Sequence, residues 1–265
     1  MRKYLGVFGT SFKQEKDATW NTLIGSVGYI ILIFVFVQLW CYIYGANGTG
    51  SIINGFTLQQ MLWYLVITEC IYFGARAKSI TSAISNEIKS GSIAYKLNKP
   101  YNYYLYCVSQ FMAKSVFTII IMLPVSFIVG LVLVGIPDTF CFEQIIPCIF
   151  TILMSLLLTW TFYGIIGLIA FWTQESTPYY WVVSKFFMIF GLLLPITFFP
   201  AWLQPIIMYS PVYALFSGPA SLVANFSWEL FGQVVLSQAI WISIIIALGL
   251  WIYKLGKKKV TSNGG

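Results

Sequence analysis

Few side chains in this 265-residue chain can do chemistry, and their spacing narrows the choice further. There is no histidine, and there are only eight carboxylates. Imidazole acid–base catalysis and histidine metal sites therefore have no residues to work with. Cys41, Cys70, Cys107, Cys141 and Cys148 are scattered, odd in number and free of any CxxC pair. They spell neither a disulfide framework nor a thiolate metal site, and read as small apolar residues of packed helices. No GxxxxGK[ST] loop is present, so no nucleotide binds by that route. One carboxylate, Glu69, stands well inside an apolar run. A charge there costs ~2.5–3.5 kcal/mol on insertion scales and is usually paired or functional. Arg76 follows seven residues later, about two helical turns along the same face. Two readings are open: a structural Glu69–Arg76 bridge near one membrane face, or a Glu69 that faces a solute path and holds a cation.

The elements that position these residues follow from composition. The chain is 59% hydrophobic and 9% charged, with mean hydropathy +0.82. Soluble domains run ~45–50% apolar and ~25% charged, so too few charges exist here to cover a water-facing surface, and disorder is excluded as well. The expected fold is an all-α integral membrane protein with six transmembrane helices, at about 20–44, 58–75, 115–136, 145–172, 182–199 and 231–253. The third helix can begin earlier, near Tyr103. The stretch 45–50 and Pro137-Asp138 are the expected breaks on one side. Six spans place all fifteen basic residues on one side: those before span one, between spans two and three, at the ends of spans three and five, and after span six. That side is expected to be cytoplasmic, with both termini there, in what reads as a bacterial inner or plasma membrane. The net charge of +7 is thus an orientation signal first, and an attraction to anionic lipid second.

Residues 1–19 are too polar for the core of a cleavable signal peptide. Tyr4, Leu5, Phe8 and Phe12 share one helical face, which predicts a short helix lying in the membrane interface. One transmembrane domain is expected over 1–255, with a basic tail at 256–265. Asn47-Gly-Thr49 and Asn225-Phe-Ser227 match the glycosylation sequon, a motif short enough to arise by chance.

Two stretches are not simple spans. In 78–100, Ile80, Ile84 and Ile88 recur every four residues and make one apolar stripe, while Ser79, Ser82, Asn86 and Lys89 face elsewhere. Ser90-Gly91 is a natural helix stop. Such a stripe is buried either in the lipid interface or in a partner's groove. In the second stretch Pro195, Pro200, Pro205, Pro211 and Pro219 interrupt helix at short intervals. A broken, apolar segment survives at membrane depth only where protein or a cavity satisfies its backbone. This predicts a re-entrant helical hairpin at 200–229; the plainer reading is a surface loop anchored by Trp202 and Tyr209. Aromatics cluster at span ends, as interface belts do; inward-facing rings could also bind a cation.

The pattern Ile84-x-x-Glu87-Ile88-x-x-Gly91-x-Ile93-x-x-x-Leu97-x-Lys99-Pro100 resembles the first cytoplasmic loop of ABC-2 type transporter permeases, in the six-span branch that includes viologen-exporter-like systems. The block from Gly191 through Pro195, Pro200 and Trp202 to Ser210-Pro211 and Pro219 is similar to that branch's segment between spans five and six. The resemblance implies a type V exporter-like fold whose cytoplasmic loop holds a coupling helix docking on a separate ATPase. Ile80, Ile84, Glu87, Ile88 and Gly91 would then sit at the docking surface, with Glu87 pairing a basic group of the ATPase. Pro195, Pro200, Trp202 and Pro211 would belong to an extracellular gate. Two cytosolic ABC ATPase subunits are implied, holding ATP and Mg, together with a second permease, identical or more readily paralogous. Besides membrane lipid, no nucleic acid is expected as a partner, and no cofactor or metal in this chain. The implied function is ATP-driven export of a small amphipathic molecule, drug or antimicrobial peptide. The competing readings are an ATP-independent secondary transporter or channel, an intramembrane enzyme, and a membrane anchor. The first usually shows inverted repeats or several buried charges, and the second needs an acid–base or metal set absent here.

Overall fold

The computed structural model describes residues 2–16, 19–46, 51–136 and 142–263. The expected break at Pro137-Asp138, the Asn47 sequon and Cys141 lie outside the described residues. All named elements among these residues are helical: α1 (Arg2–Lys16), α2 (Thr19–Ala46), α3 (Leu58–Ala75), α4 (Ala77–Lys89), α5 (Ile93–Leu97), α6 (Tyr103–Leu133), α7 (Ile145–Leu168), α8 (Ala170–Thr173), α9 (Thr177–Phe187), α10 (Gln204–Met208), α11 (Gly218–Ala224) and α12 (Trp228–Asn263). Four stretches are long and apolar enough to cross a membrane: Thr22–Ala46, Tyr103–Leu133, Phe142–Thr173 and Trp228–Lys259. They match the first, third, fourth and sixth expected spans.

The second and fifth expected spans are helices of a different kind. α3 has 18 residues, begins on a reciprocal cap between Thr57 and Gln60, and is buried along most of its length. The fifth is reset. Helix starts at Thr177, earlier than expected, runs through α9, continues as a π-helical turn Met188–Leu192 and ends before Pro195. At 1.5 Å per residue this reaches only ~24 Å, short of a ~30 Å hydrocarbon core. α6 does begin at Tyr103, on a cap in which Asn102 accepts from the Leu105 N–H, and it carries Pro124 in its interior.

Two ends of the bundle can be told apart. At one end α1 packs along α6, Lys89 meets Glu175, Tyr103 meets Tyr253, and Lys78 and Lys185 both lie over the Trp181 ring. These contacts gather the basic segments together. At the other end Trp63 Nε1 donates to the Gly135 carbonyl and Trp241 Nε1 to that of Tyr209. Between them the core is aromatic, with Tyr64, Tyr104, Trp160 and Tyr163 fully buried. Each sends its polar atom to a partner, as a dry interior requires. Trp160 Nε1 and Ser115 Oγ both donate to the Ala75 carbonyl, at 3.2 and 2.7 Å, one of the acceptors that the end of α3 would leave orphaned.

Candidate functional site

The polar loop is the site built most heavily. α3 stops at Arg76, whose φ of +48° is left-handed and uncommon for a side-chain-bearing residue. The chain turns there and α4 starts at once. Arg76 Nη1 contacts Glu15 Oε2 at 2.9 Å, and Lys114 Nζ contacts Glu15 Oε1 at 3.3 Å. A buried carboxylate from α1 thus ties the α3–α4 corner to α6. The expected Glu69–Arg76 bridge does not form, because the left-handed corner carries Arg76 off the face it would share with Glu69 on a continuous helix. Glu69 is 4% exposed, and its carboxylate makes no hydrogen bond or ion pair among the described residues.

α4 has the expected stripe, but the stripe points inward. Ile80 and Ile84 are both 0% exposed. They seat on α7 where it lacks side chains: a Cβ on Gly167 would come 2.7 Å from Ile84 Cδ1, and one on Gly164 would lie 3.5 Å from Ile80 Cδ1. Polar residues of the same face are bonded in turn. Thr81 Oγ1 donates to the Tyr163 carbonyl, and Ser176 donates its N–H to Ser85 Oγ at 3.0 Å and its hydroxyl to the Thr81 carbonyl. Ile88 is half-buried against the same core. Neither Ile80 nor Ile84 is on a surface that a partner could touch.

Glu87 is also engaged within the chain. Its carboxylate accepts from Lys96 Nζ and from the Tyr103 hydroxyl, the latter at 2.7 Å, so α4, α5 and the start of α6 meet on it. Partial burial pulls the Lys96 pKa down, the hydrogen bond and charge of Glu87 push it up, and the net shift is upward. Gly91 has φ +72°, the left-handed stop expected after α4, and is exposed. The loop offers Asn86, Lys89, Ser90, Gly91, Ser92, Ala94 and Tyr95 to solvent, followed by Asn98, Lys99 and Pro100. Tyr95 is 70% exposed with Lys99 Nζ 4.5 Å from its ring centroid.

α1 differs from a helix resting on lipid alone. Phe12 stacks edge-on to Phe117 of α6, the Asn102 N–H donates to the Tyr4 hydroxyl, and Ser109 Oγ donates to the Tyr4 carbonyl. Leu5, expected on that face, is exposed.

The proline-spaced region folds into two unequal arms. The first, with α10, carries exposed Pro200, Trp202, Ile206 and Tyr209. The chain turns at Ser210-Pro211. The second, a π-helical turn Tyr213–Ser217 followed by α11, is buried against α3, α7 and α12. Pro195 is buried where α9's extension ends. Irregular helix frees backbone acceptors, and polar side chains absent from the expected site set satisfy them. The Tyr64 hydroxyl donates to the carbonyls of Gly191 (2.8 Å) and Leu194 (3.2 Å), and Thr68 Oγ1 to that of Leu192. Gln238 Nε2 donates to the carbonyls of Thr151 and Ala214. The signal for these residues was available, since isolated polar side chains in apolar runs need partners.

The geometry defines a helical membrane protein with a braced polar loop at its basic end and a broken, protein-satisfied hairpin at the other. The chain matches the model of the ABC-2 family transporter proteins over residues 26–264 and belongs to that family. No curated protein gives a match. The family's permeases are membrane subunits, with ATPase activity normally in a separate cytosolic ABC subunit.

Proposed function

We propose that this chain is the six-span transmembrane subunit of an ATP-driven exporter, working with two cytosolic ABC ATPase subunits and a second permease, paralogous or identical. The carrying observation is the brace around the α3–α4 corner together with family membership. Ile80 and Ile84 lock α4 to α7, Glu15 locks the corner to α1 and α6, and Glu87 locks α5 to α6. A push on the loop is then transmitted to four helices at once rather than absorbed by a hinge. The docking face is the exposed one: Asn86, Ser90, Gly91, Ala94 and Tyr95, with Tyr95 as the aromatic anchor for an ATPase cleft. The basic end lies in the cytoplasm. α3 and the α9 extension serve as the second and fifth spans, their shortfall in length made up by the hairpin from Pro195 to Pro219. Pro200, Trp202 and Pro211 on that hairpin form the outer gate.

With Arg76 held by Glu15, Glu69 is assigned to the solute path. An unpaired carboxylate in a nearly uncharged bundle favours a small amphipathic cargo with a cationic group, such as a drug or antimicrobial peptide. Copurification from native membranes tests the subunit reading: a nucleotide-binding partner should elute with the tagged chain, in equal amount where the second permease is identical and at two copies per tagged chain where it is paralogous. Transport by the chain reconstituted alone, with no ATPase and no ATP, would instead establish the secondary transporter or channel reading. For Glu69, a Glu69→Gln variant should assemble normally yet lose efflux of a lipophilic cation; undiminished efflux would remove Glu69 from the path.

A further inference from the structure

A cleft of about 680 Å³ opens on the flank of the bundle between α6 and α7, in the half away from the basic loops. That volume is in the range of small-molecule sites. Its floor is buried, with Trp63, Ile119 and Ile152 nearly inaccessible, and its rim, with Ile120, Phe127 and Leu153, is exposed. α6 and α7 lie in two of the four stretches long and apolar enough to cross a membrane, and the exposed apolar rim suits hydrocarbon better than water. The wall is almost wholly apolar, with one marked exception. Gln144 lines it at 3% exposure, and its Oε1 is buried with no hydrogen-bond partner among the described residues. A buried acceptor left without a donor costs ~1–3 kcal/mol. A second acceptor sits nearby in the sequence of the wall: Pro124 has no N–H to give the Ile120 carbonyl one turn back, and both residues line the cleft.

We propose that this cleft binds the alkyl chain of a single-chain amphiphile that enters sideways from the bilayer, with its hydroxyl donating to Gln144 Oε1. The apolar wall takes the chain, and the unpaired carbonyl selects a head group that carries a donor. A bare hydrocarbon satisfies only the first condition, and the hydroxyl adds one hydrogen bond in a dry site, worth about a fivefold preference. The site is formed by this chain alone, so binding to it does not depend on whether an ATPase drives export.

The test uses the full chain in lipid nanodiscs without nucleotide and a dodecanol carrying an alkyl diazirine. Photolysis should label peptides within 116–127 and 144–153, and unlabelled dodecanol should compete about fivefold better than dodecane. Gln144→Leu should abolish that preference while leaving the alkane's weak competition in place. Ile149→Trp, at the exposed rim of the same cleft, should reduce labelling by the photoprobe and covers the case in which the Gln144 variant does not fold. Equal competition by alkane and alcohol, labelling away from the cleft lining (these two segments with Trp63, Ile67 and Val223), or labelling unchanged in the folded variants would each overturn the proposal.

Discussion

Arg76 takes its carboxylate partner from 61 positions back in the chain, in α1, rather than from the glutamate two turns away. Helical spacing puts Glu69 and Arg76 on one face only if the helix runs on, and the left-handed corner at Arg76 ends it. Glu15 follows Phe12 by one helical turn on the apolar side of α1, yet no local pattern marks it as that partner, because the cations it meets, Arg76 and Lys114, come from distant parts of the chain. Breaking this contact is expected to matter. Glu15→Gln should lower stability by about 1–2 kcal/mol, less than a fully buried pair because Arg76 is part-exposed, and thermal unfolding in detergent should register the drop. The Glu87–Lys96 contact has a pH signature. A raised lysine pKa in the folded chain means the contribution is complete below the ordinary lysine value and is lost as pH rises through the folded one. A spin label at the exposed Ala94 should therefore keep one mobility from neutral pH up to near 10.5 and loosen only above it.

Elements were read with uneven success, and the reasons are physical. The i, i+4 stripe of Ile80, Ile84 and Ile88 announced a helix, which runs over Ala77–Lys89, and Ser90-Gly91 announced its end. The stripe could not announce what covers it. Its cover is Gly164 and Gly167, some eighty positions further on, and such a small-residue notch looks the same whether it receives this chain or a neighbour. Gly167→Leu should force Ile84 out and cost about 1–3 kcal/mol, whereas Gly28→Ala in α2, where an added Cβ meets nothing, should leave the melting temperature unchanged. The prolines announced a broken segment, but not the π-helical turns, which depend on Tyr64, Thr68 and Gln238 to satisfy the carbonyls they release. Tyr64→Phe removes two of those bonds and should destabilise the chain by about 1 kcal/mol, with hydrogen exchange rising at Gly191–Leu194.

On the scale of the whole molecule, composition sufficed for an all-helical membrane protein and the family for a permease, while the working surface had to come from the fold. The isoleucines expected to touch an ATPase hold the loop to its own bundle, and the residues left outside are polar or small apart from Tyr95. Loop and bundle should then fail in different ways. Ile84→Asp buries a charge without a partner and should empty the membrane of folded protein. Charge placed at the tip should leave folding intact and remove only the partner. A photo-crosslinking residue at position 95, with position 84 as the interior control, tests this most directly in membranes that contain the assembled transporter. Crosslinks from position 95 to a nucleotide-binding subunit, and from position 84 only within the chain, are the predicted result. Crosslinks to that subunit from position 84 but not from position 95 would contradict it.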